Sequence, residues 1–350
     1  MTIDRAIEIL RAYDGPEIRI MEVCGTHTMS ILKSGVPSLI SPKIRLISGP
    51  GCPVCVTPPA YIDRLVELGT AEKAVIYSFG DMLKVPGTEY SLSRAKAAGA
   101  EVRLMLSPPE AARAAMDEPG RRFVVSAVGF ETTAPSFALL VSEIIENNIG
   151  NIRLLTALKN TPKAIEYICD NENSIDAFIC PGHVSVVTGA APFRALAEKY
   201  GRPFVVAGFE SGHIIGAILE IVRQLKAGWP AMANLYKSVV SEDGNTAALA
   251  AIRQYFEPAD AFWRGIGVIK GSGFVLKKEY KYLDAGGPAF YSDSAEQAAG
   301  CACGDVILGR MSPGECPLFG RACLPESPVG PCMVSAEGAC GIWYRFNRHE

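Results

Sequence analysis

The sequence predicts an α/β protein: two similar parallel-sheet α/β domains followed by an irregular Cys-rich domain. Three observations carry this. Short runs rich in Val and Ile alternate with helical patterns over the first two-thirds of the chain, as expected for strands buried on both faces of a parallel sheet. Two of those runs echo each other, since FVVSAVGFETT (123–133) and FVVAGFESGH (204–213) each lead from a strand through Gly-Phe-Glu into a helix. Beyond residue 257 the alternation stops and Gly, Pro and Cys dominate.

In chain order, MTIDRAIEILRAYDG places Ile3, Ile7 and Leu10 on one helix face. Strands are expected at 18–23, 44–48, 74–79, 102–106, 123–128, 152–157, 177–180 and 204–207, each bounded by turn residues. The clearest helix is 135–147, where Phe137, Leu140, Val141, Ile144 and Ile145 recur at i, i+3, i+4, i+7 and i+8. A second echo joins RLISGPGCPVCVTP (45–58) to AFICPGHVSVVTG (177–189), both leaving a strand through a Pro-Gly turn. The rhythm weakens at 227–245, read as a linker, and resumes as a helix at 245–256. The resulting division is 1–117, 118–235 and 236–350.

Composition narrows the function. A chain of 350 residues, 49% hydrophobic and 20% charged, is folded and long enough for two or three domains. A formal charge of −3 argues against nucleic acid or an anionic membrane as the main partner. No apolar stretch approaches the ~20 residues of a membrane span. The acidic N-terminus lacks a signal-peptide pattern, so a cytoplasmic location is expected. In that reducing compartment eleven cysteines point to metal binding or thiol redox chemistry rather than to a disulfide framework.

Open α/β sheets bind ligands at the carboxyl ends of their strands. Cys24-Gly25-Thr26-His27-Thr28 follows the first strand and GPGCPVC (49–55) the second; GFETT (129–133) and PGHVS (181–185) follow later ones. Cys24, His27, Cys52, Cys55, Glu131 and His183 are thereby candidates for one cleft. Plainer readings stand beside each. Taken singly, Cys24 reads more readily as a small buried hydrophobe, and His27 equally well as a hydrogen-bonded loop residue. Glu131, Thr132 and Thr133 suit a helix cap. Cys169 and Cys180 read as structural, His213 as a helix opener and His349 as solvated. Cys52 and Cys55 stand apart, because Gly49, Pro50, Gly51 and Pro53 fix an exposed turn that no core requires. The helix expected from about residue 58 would favour their thiolates through its N-terminal end.

Six cysteines fall between Cys301 and Cys340, spaced C-x-C-x12-C-x6-C-x8-C-x7-C. Without a histidine among them, they suit a four-cysteine iron–sulfur cluster or a four-cysteine zinc ion. The paired C-x2–4-C knuckles of zinc sites are missing, and prolines at 313, 317, 325, 328 and 331 favour a wrapped loop. Spacing therefore favours the cluster, without deciding which four thiols bind.

Five segments, MEVCGTHTM (21–29), SGPGCPVCVTP (48–58), VGFETTAPSFA (128–138), PGHVSVVTG (181–189) and CPLFGRACLPESPVGPCMVSAEGAC (316–340), together resemble the HypD family of hydrogenase maturation factors. The resemblance runs in order along essentially the whole chain. It implies two related α/β domains around a cleft plus an iron–sulfur domain. The implied task is a scaffold for assembling the Fe(CN)2CO moiety of nickel–iron hydrogenases. The implied partners are a HypC-type chaperone, HypE with HypF as cyanide donor, and the hydrogenase large subunit through HypC. By motif, Cys24 becomes the first-choice ligand of the assembled iron, shared with a partner thiolate, with His27 beside it. Cys52 and Cys55 become a redox-capable dithiol and further iron ligands, while Glu131, Thr132, Thr133 and His183 line the cleft. For a 4Fe–4S cluster the choice is Cys303, Cys316, Cys323 and Cys340, with Cys301 and Cys332 as alternates. One departure is Met29, where some members carry a second histidine. The competing functions are an iron–sulfur-dependent thiol–disulfide oxidoreductase and a zinc-stabilised binding module.

Overall fold

A computed structural model describes residues 2–286 and 300–346, which leaves His349 outside the described residues. Two sheets organise the chain. The first has the order β2-β1-β7-β8-β9 and is wholly parallel, built from β1 (Ile18–Glu22), β2 (Ile44–Ser48), β7 (Ala177–Cys180), β8 (Phe204–Val206) and β9 (Met232–Asn234). The second has the order β10-β11-β6-β5-β3-β4. Its parallel part comprises β3 (Val75–Ser78), β4 (Val102–Leu104), β5 (Phe123–Gly129) and β6 (Ile152–Lys159). The hairpin β10 (Phe256–Trp263) and β11 (Gly267–Leu276) adds to it antiparallel.

The α/β class and all eight expected strands are present. Three further strands are not expected from the sequence. β9 lies inside the stretch read as a linker and pairs Phe204 with Met232, so 227–245 completes the first sheet. β10 and β11 lie in the stretch read as irregular. Their alternation is masked by Pro258, Gly271 and Gly273, and β10 is half exposed, as suits an edge strand that carries a proline.

Nor do the cuts 117/118 and 235/236 separate the sheets. The first sheet takes β1 and β2, then β7 to β9; the second takes β3 to β6, then β10 and β11. The echo that suggested two halves relates β5 of one sheet to β8 of the other, each running into a helix, Ala134–Glu146 and Ser211–Ala227. Likeness of units is thus visible in the sequence, whereas their pairing is not.

Strand alternation sorts side chains between a shared inner core and two outer ones. Met21, Phe178, Cys180 and Phe204 from the first sheet meet Ile76, Val124 and Leu155 from the second in one cluster. The helices Pro59–Thr70 and Thr161–Asn171 lie within it, and Cys303, Cys323, Cys332 and Cys340 belong to it. On the outer face of the second sheet, Phe137, Leu140, Val141 and Ile144 cover Phe123, Val125 and Leu154. On that of the first, Leu10, Ile20 and Ile179 pack with Ile214 and Ile218. Among the described residues no helix is long and apolar enough to cross a membrane. Cys169 and Cys180 are buried core thiols, and burial pushes Cys169 up to about 12.

Candidate functional site

Cys24 ends the segment after β1 as the N-cap of the helix Gly25–Lys33, in extended backbone conformation. Its sulfur faces the N–H groups of Thr26 and His27 without closing a capping hydrogen bond. That orientation favours a thiolate, but burial outweighs it and pushes the thiol up to about 11. The charges of Glu22 and Glu337 act in the same direction. A metal bound here would displace the proton.

The GPGCPVC turn is pressed against this residue. A Cβ on Gly51 would lie 2.5 Å from both the Cα and the N of Cys24, so only glycine permits the approach. Gly49 donates its N–H to the Glu22 carbonyl at 2.8 Å, fixing the turn to the end of β1. The turn is not exposed as the sequence suggested: Cys52 is 4% and Cys55 2% exposed, because the Cys-rich segment covers them. The two sulfurs are joined as a disulfide. The following helix, Pro59–Thr70, starts where expected.

His27 is fully buried. Its Nε2–H donates to the Gly208 carbonyl at 3.2 Å, and among the described residues the buried Nδ1 has no hydrogen-bond partner. Burial depresses the imidazole to about 4, so it is neutral at physiological pH. Phe209 stands between His27 and His183, with ring centroids 4.7 and 4.1 Å away. His183 itself is exposed at the start of the helix Gly182–Thr188. His213 opens the helix Ser211–Ala227, 5.9 Å from the Tyr236 ring.

Glu131 serves a different helix from the one expected. Its carboxylate accepts from Thr161 N–H at 2.8 Å and Thr161 Oγ1–H at 2.9 Å, holding the start of Thr161–Asn171 rather than that of Ala134–Glu146. Burial pushes it up to about 7. Thr132 is exposed, and Thr133 is the N-cap of Ala134–Glu146.

Two acids were missed. Glu22 is 2% exposed; it accepts from Cys24 N–H at 3.3 Å and from Thr28 Oγ1–H, and burial raises it to about 8. An acid closing the apolar strand IRIME was the available signal. It borders a cavity of about 580 Å³ lined also by Arg19, Ile31, Arg45, Arg310 and Trp343. Glu337 faces Thr26, and its carbonyl would lie 2.3 Å from a Cβ on Gly25.

All six C-terminal cysteines line one small pocket with Leu318, Phe319 and Met333. Their pairing differs from the expected choice. Cys303 is joined to Cys332 as a disulfide, which removes it from the free thiols, while Cys301, Cys316, Cys323 and Cys340 remain free. Burial raises the Cys301 and Cys340 thiols, and facing sulfurs, including Cys316 and Cys323, add to it. Among the described residues no three His, Cys, Asp or Glu side chains are already placed to hold a single metal ion. As donors, four soft thiols in an apolar pocket suit an iron–sulfur cluster. The pocket adjoins the cleft turn, since Cys55 Sγ lies 3.9 Å from the carbonyl of Pro331, the neighbour of Cys332.

A family model described as HypD, hydrogenase formation hypA family, matches residues 2–347. The chain belongs to this family. It is 42% identical over 336 residues to the hydrogenase maturation factor HypD of Rhodobacter capsulatus, covering 94% of this chain and 89% of that protein. It is 39% identical over 347 residues to a putative hydrogenase expression/formation protein of Methanocaldococcus jannaschii, covering 99% and 96%. To HypD of Escherichia coli it is 38% identical over 338 residues, covering 95% and 90%. Its role is accordingly hydrogenase maturation.

Proposed function

We propose that within hydrogenase maturation this protein is the cytoplasmic scaffold on which the Fe(CN)2CO moiety is assembled. The iron is the substrate, held first by the Cys24 thiolate and by a thiolate from a HypC-type chaperone. HypE with HypF supplies the cyanide, and the hydrogenase large subunit is reached through the chaperone. The observation that carries this reading is the contact of Gly51 with Cys24, which sets the Cys52–Cys55 turn against a thiol at a helix N-terminus.

His27 is held neutral by burial, three positions after Cys24, and among the described residues its Nδ1 has no hydrogen-bond partner. Opening the Cys52–Cys55 disulfide takes two electrons and two protons and yields two thiols. For a resident 4Fe–4S cluster the fitting ligands are Cys301, Cys316, Cys323 and Cys340, with Cys303–Cys332 lining the same pocket and Pro331, next to Cys332, facing Cys55. When bound, such a cluster supplies single electrons at low potential. Burial of Cys52 and Cys55 weighs against the alternative of a stand-alone oxidoreductase, which would have to admit a protein disulfide.

The test is infrared spectroscopy of the anaerobically purified complex with the chaperone, alongside iron and sulfide analysis. Cyanide and carbonyl bands are expected, and Cys24→Ala should abolish them. Bands that survive that substitution unaltered would remove Cys24 as the ligand.

A further inference from the structure

The loop that closes the six-cysteine pocket turns its main chain toward sulfur. Residues 323–330 read CLPESPVG. Leu324 and Ser327 exchange backbone hydrogen bonds at 3.1 and 3.4 Å, and Pro325 and Pro328 stiffen the turn. The chain is thereby returned to its own beginning, where the Val329 N–H donates to Cys323 Sγ at 3.4 Å. Both ends of that bond are held. The Val329 side chain packs against the inner core. Cys323 donates its N–H to the Leu318 carbonyl at 2.9 Å, and its carbonyl accepts from Gly320 N–H at 3.2 Å.

The next residue makes a second approach. A Cβ on Gly330 would lie 2.6 Å from Cys301 Sγ. Its φ of −115° is open to any residue, so glycine stands here for space rather than for conformation. Two consecutive residues thus lay backbone against Cys301 and Cys323, two of the four free thiols that line this pocket. A neutral thiol is a weak acceptor, so a donor aimed at it contributes little. A metal-bound thiolate accepts far more strongly.

We propose that the Val329 N–H is a positioning donor to the Cys323 sulfur, and that it raises the reduction potential of a 4Fe–4S cluster held by Cys301, Cys316, Cys323 and Cys340. The proposal rests on the cluster reading above. An added electron makes the ligand sulfurs more negative, and an N–H dipole aimed at one of them favours that reduced state. The effect belongs to the amide of residue 329 and not to its side chain.

The experiment compares wild type, Val329→Pro, which has no N–H, and Val329→Ala, which keeps it. Full chains are purified anaerobically, analysed for iron and sulfide, and titrated with dithionite under electron paramagnetic resonance. Wild type without iron and sulfide would sink the cluster reading, and the donor role would fall with it. With the cluster present, Val329→Pro should shift the one-electron equilibrium toward the oxidised state by about threefold or more, while Val329→Ala stays near wild type. Equal potentials in wild type and Val329→Pro overturn the proposal, as do equal shifts in the two variants, which would assign the effect to packing. If Val329→Pro does not retain a cluster, electron–nuclear double resonance of the reduced cluster decides, in chains grown with 15N-valine. Wild type should show a 15N coupling that Val329→Ala lacks, because its residue 329 is unlabelled. Identical spectra would mean that no electron density reaches this amide, and that result also overturns the proposal.

Discussion

Replacing Gly51 by alanine probes the contact on which the assembly reading rests. The added Cβ would stand 2.5 Å from two backbone atoms of Cys24 and 2.8 Å from the Val23 carbonyl carbon. Ordinary contact begins at 3.4 Å, so the turn or the N-terminus of Gly25–Lys33 must retreat by 3.4 − 2.5, about 0.9 Å. Neither side yields easily. Gly49 is bonded to the Glu22 carbonyl, Cys24 N–H to the Glu22 carboxyl, and Pro50 and Pro53 stiffen the turn. Overpacking of this kind costs about 1–3 kcal/mol. A displacement near 1 Å at reacting groups costs on the order of 100-fold in rate. The assays are denaturant unfolding and hydrogenase activity in a host whose own maturation gene is deleted. Gly120→Ala serves as control, because nothing lies within 4 Å of a Cβ there. Wild-type maturation and stability in Gly51→Ala would refute the claim that this contact sets the site geometry.

Three other outcomes are expected. Cys301→Ser should lose bound iron and sulfide, whereas Cys303→Ser should retain them and lose the second disulfide; equal loss in both would return Cys303 to the ligand set. Glu131, raised from 4.5 to about 7 by burial, favours its neutral form in the fold. Its contribution is therefore complete below about pH 4.5 and is lost as pH rises through about 7, worth roughly 3 kcal/mol at 1.36 kcal/mol per pKa unit. Against Glu131→Gln, which keeps partners for Thr161, wild type should lose stability between pH 5 and 8; parallel pH curves would contradict this. Tyr61→Phe should cost about 1–2 kcal/mol in unfolding free energy, because the Leu155 carbonyl and the Ser126 hydroxyl both lose the buried phenol. No measurable change would mean that another donor takes its place.

Strands buried on both faces were legible because they admit little but apolar residues. All seven positions of β5 are buried, and FVVSAVG reads accordingly. β9 is only the three residues MAN, half-buried, and offers no period to detect. The sequence located the GPGCPVC turn through its glycines and prolines, which are local chemistry. Its burial depends on residues such as Pro331, 276 positions beyond Cys55, and no local pattern reports that. For the same reason the six C-terminal cysteines could be grouped but not paired, since Cys303 and Cys332 are 29 residues apart. Glu131 shows the limit from the other side: its cap chemistry was readable, but the helix it caps lies across the end of a neighbouring strand.

The alternation of strands between the two sheets also bears on how the chain is made. β3 to β6 emerge consecutively and can pair as they appear. β1 has β2 on one side, but its other neighbour, β7, begins only at Ala177. Until then Ile20, Met21 and Glu22 present an open strand edge, a template for unwanted pairing. The edge of β1 is therefore enclosed only after the whole parallel part of the second sheet has been made, and a nascent chain stopped before residue 177 keeps that edge open beside the thiol of Cys24.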